Sequence, residues 1–130
     1  MAPTVSKVMI GDWLLVDGKV TKVTKENIDY VLNTLCQPLP LTPEFFEKNG
    51  WEHQKSDFYD GYYFVNEDLY EMHAHEFNDG MWQVEYDNIE MSGIPTMSVN
   101  VCWIHEVCRF LEFCGIIGEM IKHVEYKGYV

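Results

Sequence analysis

The chain has 130 residues, 47% of them hydrophobic and 15% aromatic, and its formal net charge is −12. The length suits a single domain over residues 1–130 with its own hydrophobic core, and the composition excludes a disordered chain. The N-terminus lacks the apolar run of a secretory signal, and no apolar run approaches the roughly 20 residues of a membrane span, so we expect a cytoplasmic protein with no membrane contact.

The negative charge is concentrated in the middle of the chain. Between Glu52 and Glu90 there are eleven acidic residues and one lysine, Lys55, a net charge of 1 − 11 = −10. A nucleic-acid groove needs the opposite sign, because the neutralisation of phosphates supplies most of such affinity, so direct nucleic-acid binding is disfavoured. The acidic middle is interpreted either as a solvated sheet face that keeps the protein soluble or as a surface for basic proteins.

The first predicted element is a β-hairpin. Two runs rich in β-branched residues, at 9–16 and 19–24, flank Asp17-Gly18, a dipeptide suited to a two-residue hairpin turn. The opening Ile10-Gly11-Asp12-Trp13 followed by such a hairpin resembles the start of small SH3-like barrels. The next run, residues 28–35, mixes apolar and polar side chains and is compatible with a strand or a helical turn, of which irregular or strand structure is preferred.

A short capped helix is predicted at about residues 43–49. Thr42 suits the N-cap, Pro43 suits the first turn, and Gly50 suits the left-handed residue that follows a helix.

From Trp51 to Met97 the pattern predicts an antiparallel meander. The clearest hairpin has the turn Asn78-Asp79-Gly80, with alternating residues on both sides of it. Such a sheet has one packed face and one polar face. We assign Tyr70, Met72, Ala74, Trp82, Val84 and Tyr86 to the packed face, and Glu71, His73, His75, Gln83, Glu85 and Asp87 to the polar face.

A second helix is predicted at about residues 100–114, capped by Ser98 or Asn100 and ended by Gly115. Its apolar stripe comprises Trp103, Ile104, Val107, Phe110, Leu111 and Cys114. The other side of the helix carries His105, Glu106, Arg109 and Glu112, in which oppositely charged residues lie three apart.

Two segments and the opening Ile10-Gly11-Asp12-Trp13 resemble a family of small uncharacterised proteins from phages and mobile elements of gut bacteria. Pro38-Leu39-Pro40-Leu41-Thr42-Pro43-Glu44, with Asn49-Gly50-Trp51, is similar to the family's "PIPLTEE…GF" segment. The segment 102–115 is similar to a family helix of the type "YVHQLQNLYFALTG", with His105 and Gly115 in matching places, although Cys114 replaces the usual threonine. The family has no assigned activity, so the resemblance implies a cytoplasmic accessory protein of mobile-element origin and no catalytic residues.

One pattern indicates chemistry. His73-x-His75 on a strand places two imidazoles on the same face, which is one way in which two-histidine metal sites are built, and Glu85 is a candidate third ligand. The alternative to a binding protein is therefore a small metal-dependent hydrolase that uses His73 and His75. Paired histidines on a polar sheet face also occur without any metal, and no cofactor is predicted.

The sequence thus predicts an α+β fold, in which a twisted antiparallel sheet with an N-terminal hairpin is covered on its apolar face by two helices. The preferred function is a non-enzymatic protein-interaction module whose acidic surface binds a basic protein, with a homodimer left open. A nucleic-acid mimic is a third hypothesis. The predicted interaction surface comprises Glu71, Trp82, Asp87, His105 and Arg109.

Overall fold

The computed structural model describes residues 4–5, 7–66, 70–88, 97–114 and 124. Within these residues it has two antiparallel sheets, of three and five strands, and three helices, which confirms the α+β class. The elements are β1 (Trp13–Val16), β2 (Lys19–Lys22), α1 (Ile28–Leu32), β3 (Cys36–Pro38), α2 (Pro43–Lys48), β4 (Glu52–Lys55), β5 (Asp60–Asn66), β6 (Tyr70–Asn78), β7 (Met81–Asn88), β8 (Met97–Val101) and α3 (Ile104–Phe113).

The chain forms two compact units. Unit 1 comprises Met1–Pro40 and Trp103–Val130, and unit 2 comprises Leu41–Cys102. The two predicted hairpins lie in separate sheets, one in each unit. The assignment of all 130 residues to a single domain stays a prediction.

The N-terminal hairpin of unit 1 confirms the turn read from Asp17-Gly18. Both residues have positive φ, 50° and 79°, which is the left-handed geometry whose twist matches that of the flanking strands. β1 pairs with β2 on one side and with β3 on the other, so the sheet order is β2-β1-β3. Leu14 and Val16 of the central strand enter the core of this unit.

Residues 28–32 form the helix α1, so the preference for irregular or strand structure at 28–35 was wrong and the alternative, a helical turn, is the one that forms. Asn27 shapes the entry to the helix, because its Oδ1 accepts from the Thr24 backbone N–H at 2.8 Å and its Nδ2 donates to the Lys22 carbonyl at 3.0 Å. Val31 is buried in the core of unit 1. Tertiary packing therefore outweighs the weak helix propensity of this segment.

The C-terminal helix α3 contacts β1 and begins later than predicted. Ser98 and Asn100, the expected caps, lie in the strand β8, so that part of the prediction was wrong. The helix begins after Trp103, whose backbone N–H donates to Glu106 Oε1 at 3.1 Å, one half of a capping box. Gly115, the predicted end, lies outside the described residues.

Unit 2 is built on the sheet β4-β5-β6-β7-β8, in which every neighbouring pair is antiparallel. Met72 and Ala74 of β6 and Trp82 and Val84 of β7 are at most 2% exposed. The predicted packed face of the meander is therefore confirmed.

The helix α2 covers that packed face through one aromatic side chain, Phe46. Its ring centroid lies 4.9 Å from that of Trp82, 5.0 Å from that of Trp51 and 5.5 Å from that of Tyr62. The predicted cap is also present, since Thr42 Oγ1 accepts from the Phe45 N–H at 3.3 Å. The predicted helix is thus confirmed, and it packs on the sheet through an aromatic cluster centred on Phe46.

Candidate interaction surface

The side of the five-stranded sheet opposite α2 carries mainly polar side chains, and we call it the acidic face. Because side chains alternate along each strand, the register decides which residues share this face. All residues of this face are half-buried or exposed. The acidic face comprises Glu52 and Gln54 of β4, Tyr63 and Val65 of β5, Glu71, His73 and His75 of β6, Gln83, Glu85 and Asp87 of β7, and Ser98 and Asn100 of β8.

Two carboxylates lie directly opposite each other on this face. Glu71 of β6 pairs with Asp87 of β7, and Glu85 lies two residues before Asp87. Like charges in directly opposed positions, with Cβ atoms about 4.5–5.5 Å apart, destabilise a sheet. In the part of the chain that the structure describes, no lysine or arginine side chain pairs with these three carboxylates. A cation brought by a partner would relieve their repulsion.

The two histidines of the predicted metal site share the acidic face. Glu85 lies directly opposite His73, and Gln83 lies opposite His75. His73 Nε2 is 3.6 Å from a carboxylate oxygen of Glu71. Across residues 4–5, 7–66, 70–88, 97–114 and 124, no three His, Cys, Asp or Glu side chains form a group that could hold a metal ion. The metal site therefore stays a prediction that the described residues do not support.

Aromatic rings lie among these carboxylates. The ring of Tyr63 is 5.1 Å from that of His73, and the ring of Tyr59 is 5.9 Å from that of His75. The Tyr59 hydroxyl reaches over Gly61, which leaves no room for a side chain there. Burial, followed by the charges of Glu85 and Asp60, raises the pKa of Tyr59 above its ordinary value. The face therefore offers rings as well as negative charge.

Trp82, predicted for the interaction surface, is only 2% exposed. It lies on the packed face against Phe46, on the other side of the sheet from Glu71 and Asp87. An exposed surface cannot include it, so this part of the prediction is corrected. Side chains alternate between the two faces along each strand, and the alternation that puts Glu71 and Asp87 on the acidic face puts Trp82 on the packed face.

Arg109, also predicted for the surface, binds the buried carboxylate of Asp12. Its Nε donates to Asp12 Oδ1 at 3.1 Å and its Nη2 to Oδ2 at 2.7 Å, and Nη2 also donates to the Lys7 carbonyl at 2.7 Å. Asp12 is 1% exposed and accepts a further bond from the Met9 N–H. The pair is a structural element of unit 1, because the guanidinium compensates a carboxylate removed from water.

His105 is buried within unit 1 as well, at 7% exposure. Its Nδ1 is enclosed and has no hydrogen-bond partner among the described residues. Burial, together with the nearby charge of Arg109, lowers the pKa of His105 below its ordinary value. His105 is therefore not an exposed contact residue, and the sequence-based interaction set reduces to Glu71 and Asp87, with Arg109 bound to Asp12.

Tyr63 and Asp12 were not selected from the sequence. A partial signal existed for Tyr63, because it alternates with Tyr62 and Phe64 along a strand and must face the opposite side. No local signal existed for Asp12, because its partner Arg109 is 97 residues away.

Two of the surface depressions lined by described residues lie in unit 1. One, of about 220 Å³, is lined by residues that include Lys7, Trp103 and His105. The other, of about 370 Å³, lies between the first hairpin turn and Leu35. Neither includes a residue of the acidic face.

Comparison of the chain with family models, with curated proteins and with solved structures found no match. Among the described residues, none of the helices has the length and apolar character needed to cross a bilayer. The resemblance of the segments around Pro38 and Trp103 to proteins of mobile elements therefore stays a hypothesis, and the function must be argued from the acidic face.

Proposed function

We propose that this chain is a cytoplasmic, non-enzymatic protein-interaction module of phage or mobile-element origin, and that its acidic face binds a basic protein. The observation that carries the proposal is the group of neighbouring carboxylates formed by Glu71, Glu85 and Asp87, which no lysine or arginine side chain of the described residues pairs with. The attribution to phages or mobile elements rests on the sequence resemblance alone.

The distribution of charge between the units supports this proposal. Unit 2 has two lysines and thirteen acidic residues, a net charge of 2 − 13 = −11, out of −12 for the whole chain. A field of one sign attracts oppositely charged proteins and accelerates their encounter. An acidic patch selected only for solubility has no reason to place Glu71 and Asp87 in directly opposed positions, since neighbouring positions cost less.

The acidic face is less suited to imitate nucleic acid. A mimic needs negative charges at regular spacing, as in the phosphate backbone. Here Tyr63, His73, His75 and Gln83 interrupt the carboxylates. A basic protein with a few cations on one side fits this arrangement better than a protein that follows a continuous phosphate chain.

The test is capture of basic proteins from a lysate of the native host, with the wild-type protein and with the triple variant Glu71→Gln, Glu85→Gln, Asp87→Asn. A double variant in unit 1, Glu26→Gln with Glu112→Gln, also removes negative charge from exposed positions and serves as control. We expect a basic partner that the control retains, that the triple variant loses, and that about 1 M salt elutes because screening becomes strong. Capture that is equal for all three proteins would refute the proposal.

A further inference from the structure

We infer that the acidic face selects arginine over lysine, so that its partner is an arginine-rich protein segment. This inference rests on the proposed function, and it specifies the chemistry of the partner. It follows from the way in which rings and carboxylates are interleaved on one side of the sheet.

The relevant rows run across the strands. In one row, Tyr63 pairs with His73, which pairs with Glu85. In the next row, Glu71 pairs with Asp87. Neighbouring strands are about 4.8 Å apart, and residues two apart on a strand are separated by about 6.6 Å. A single long side chain of a partner can therefore reach any one of these three carboxylates and a neighbouring aromatic or imidazole ring at the same time.

The rings are held in place and remain accessible. Tyr63 is half-buried and its ring contacts that of His73 with the two planes inclined by 44°. The side chain of His73 is 33% exposed, and its Nε2 lies 3.6 Å from a carboxylate oxygen of Glu71. A ring that is already positioned costs little additional entropy when a planar cation stacks on it.

Arginine and lysine respond differently to such a surface. The guanidinium of arginine is planar, can bind a carboxylate with two parallel hydrogen bonds, stacks on aromatic faces and is weakly hydrated. The ammonium of lysine is a compact and strongly hydrated charge, which gains from the carboxylates but little from the rings. Carboxylates alone favour arginine only through paired hydrogen bonds, whereas the ring of Tyr63 adds a stacking contribution that lysine largely lacks.

The experiment measures the binding of fluorescein-labelled peptides by fluorescence anisotropy. Two peptides of equal length carry equal numbers of arginines or of lysines, each separated by glycines. We expect the arginine peptide to bind about two- to fivefold more tightly for each arginine that stacks. Tyr63→Phe should retain this preference because it keeps the ring, and Tyr63→Ile should reduce it to the part that paired hydrogen bonds to carboxylates provide, while leaving the affinity for the lysine peptide unchanged.

The outcomes separate the inference from the proposed function. Equal affinity for both peptides, with binding lost in the Glu71, Glu85 and Asp87 triple variant, would overturn the arginine preference and leave the basic-partner proposal standing. A preference that is undiminished in Tyr63→Ile would also overturn the inference. Absence of binding to either peptide at low salt would count against the proposed function itself. Circular dichroism of each variant verifies that the sheet is intact.

Discussion

Replacing either partner of the Arg109–Asp12 pair should destabilise the protein unequally. In Arg109→Met, the Asp12 carboxylate, which is 1% exposed in the native protein, keeps only the bond from the Met9 N–H. Two charge-assisted hydrogen bonds to Asp12 are lost, each worth about 1.5–3 kcal/mol. Loss of one partner of a buried ion pair costs about 3–5 kcal/mol in the free energy of unfolding, and we expect a loss in that range.

Substitution of the other partner, Asp12, should lower the free energy of unfolding by less. In Asp12→Asn, the amide oxygen still accepts a hydrogen bond from the Met9 N–H. The side chain of Arg109 is 31% exposed, so water can solvate part of the guanidinium. We expect a loss of about 1–2 kcal/mol. Arg109→Lys keeps the charge without the paired bonds and should fall between the two variants.

The measurement is urea unfolding followed by tryptophan fluorescence, for which Trp13 and Trp103 report on unit 1. Glu112→Gln, an exposed substitution on the same helix, is the matched control and should change stability by less than about 0.5 kcal/mol. A loss below about 1 kcal/mol in Arg109→Met, or a larger loss in Asp12→Asn, would show that burial of the carboxylate does not control the energetics as argued.

Three further predictions concern the packed interiors. Phe46→Ala removes the centre of the aromatic cluster and should cost about 3–5 kcal/mol in urea unfolding; a loss below about 1 kcal/mol would contradict the role assigned to that ring. Gly61→Ala places a methyl group 2.8 Å from the Ala74 carbonyl oxygen and against the Tyr59 hydroxyl, so it should cost about 1–3 kcal/mol and change the near-UV circular dichroism, and an unchanged spectrum would refute this. His105 has a lowered pKa in the folded state, so protonation favours unfolding, and its contribution to stability should be complete above about pH 6.5 and decline as the pH falls below that value. His105→Leu should therefore flatten the dependence of the free energy of unfolding on pH below about 6.5. The same pH dependence in His105→Leu and in the wild-type protein would show that the imidazole is solvated.

Local chemistry was sufficient to predict the turns, the cap and the sheet. Asp17-Gly18 and Thr42 act through their own backbone neighbours, so a short window of sequence contains the whole cause. The alternation in β6 and β7 likewise defines two faces without knowledge of distant residues, which is why Glu71 and Asp87 were placed correctly on one side.

The predictions that were wrong concern residues whose structure depends on distant contacts, or segments whose sequence fits both the helix period of 3.6 and the strand period of 2. α1 is short, and Val31 is held by a core that other strands complete. Ser98 and Asn100 resemble helix caps, but they alternate with Val99 and Val101 and satisfy the period of a strand. Helix periodicity placed His105 on the same side as Glu106, Arg109 and Glu112, whereas the structure buries it. Helix periodicity cannot show which polar side chains a second element will cover.

The route of the chain through unit 1 has a consequence for synthesis on the ribosome. Strands β1, β2 and β3 emerge early, but α3, which contacts β1, emerges only after all of Leu41–Cys102 has been made. The inserted segment, by contrast, is complete before translation reaches Trp103, and in the folded protein its ends are joined by a hydrogen bond of 3.2 Å from the Leu41 N–H to the Cys102 carbonyl. All residues of the acidic unit 2 are therefore synthesised before those of unit 1 are complete, and the strands β1, β2 and β3 cannot pack against α3 until the end of translation.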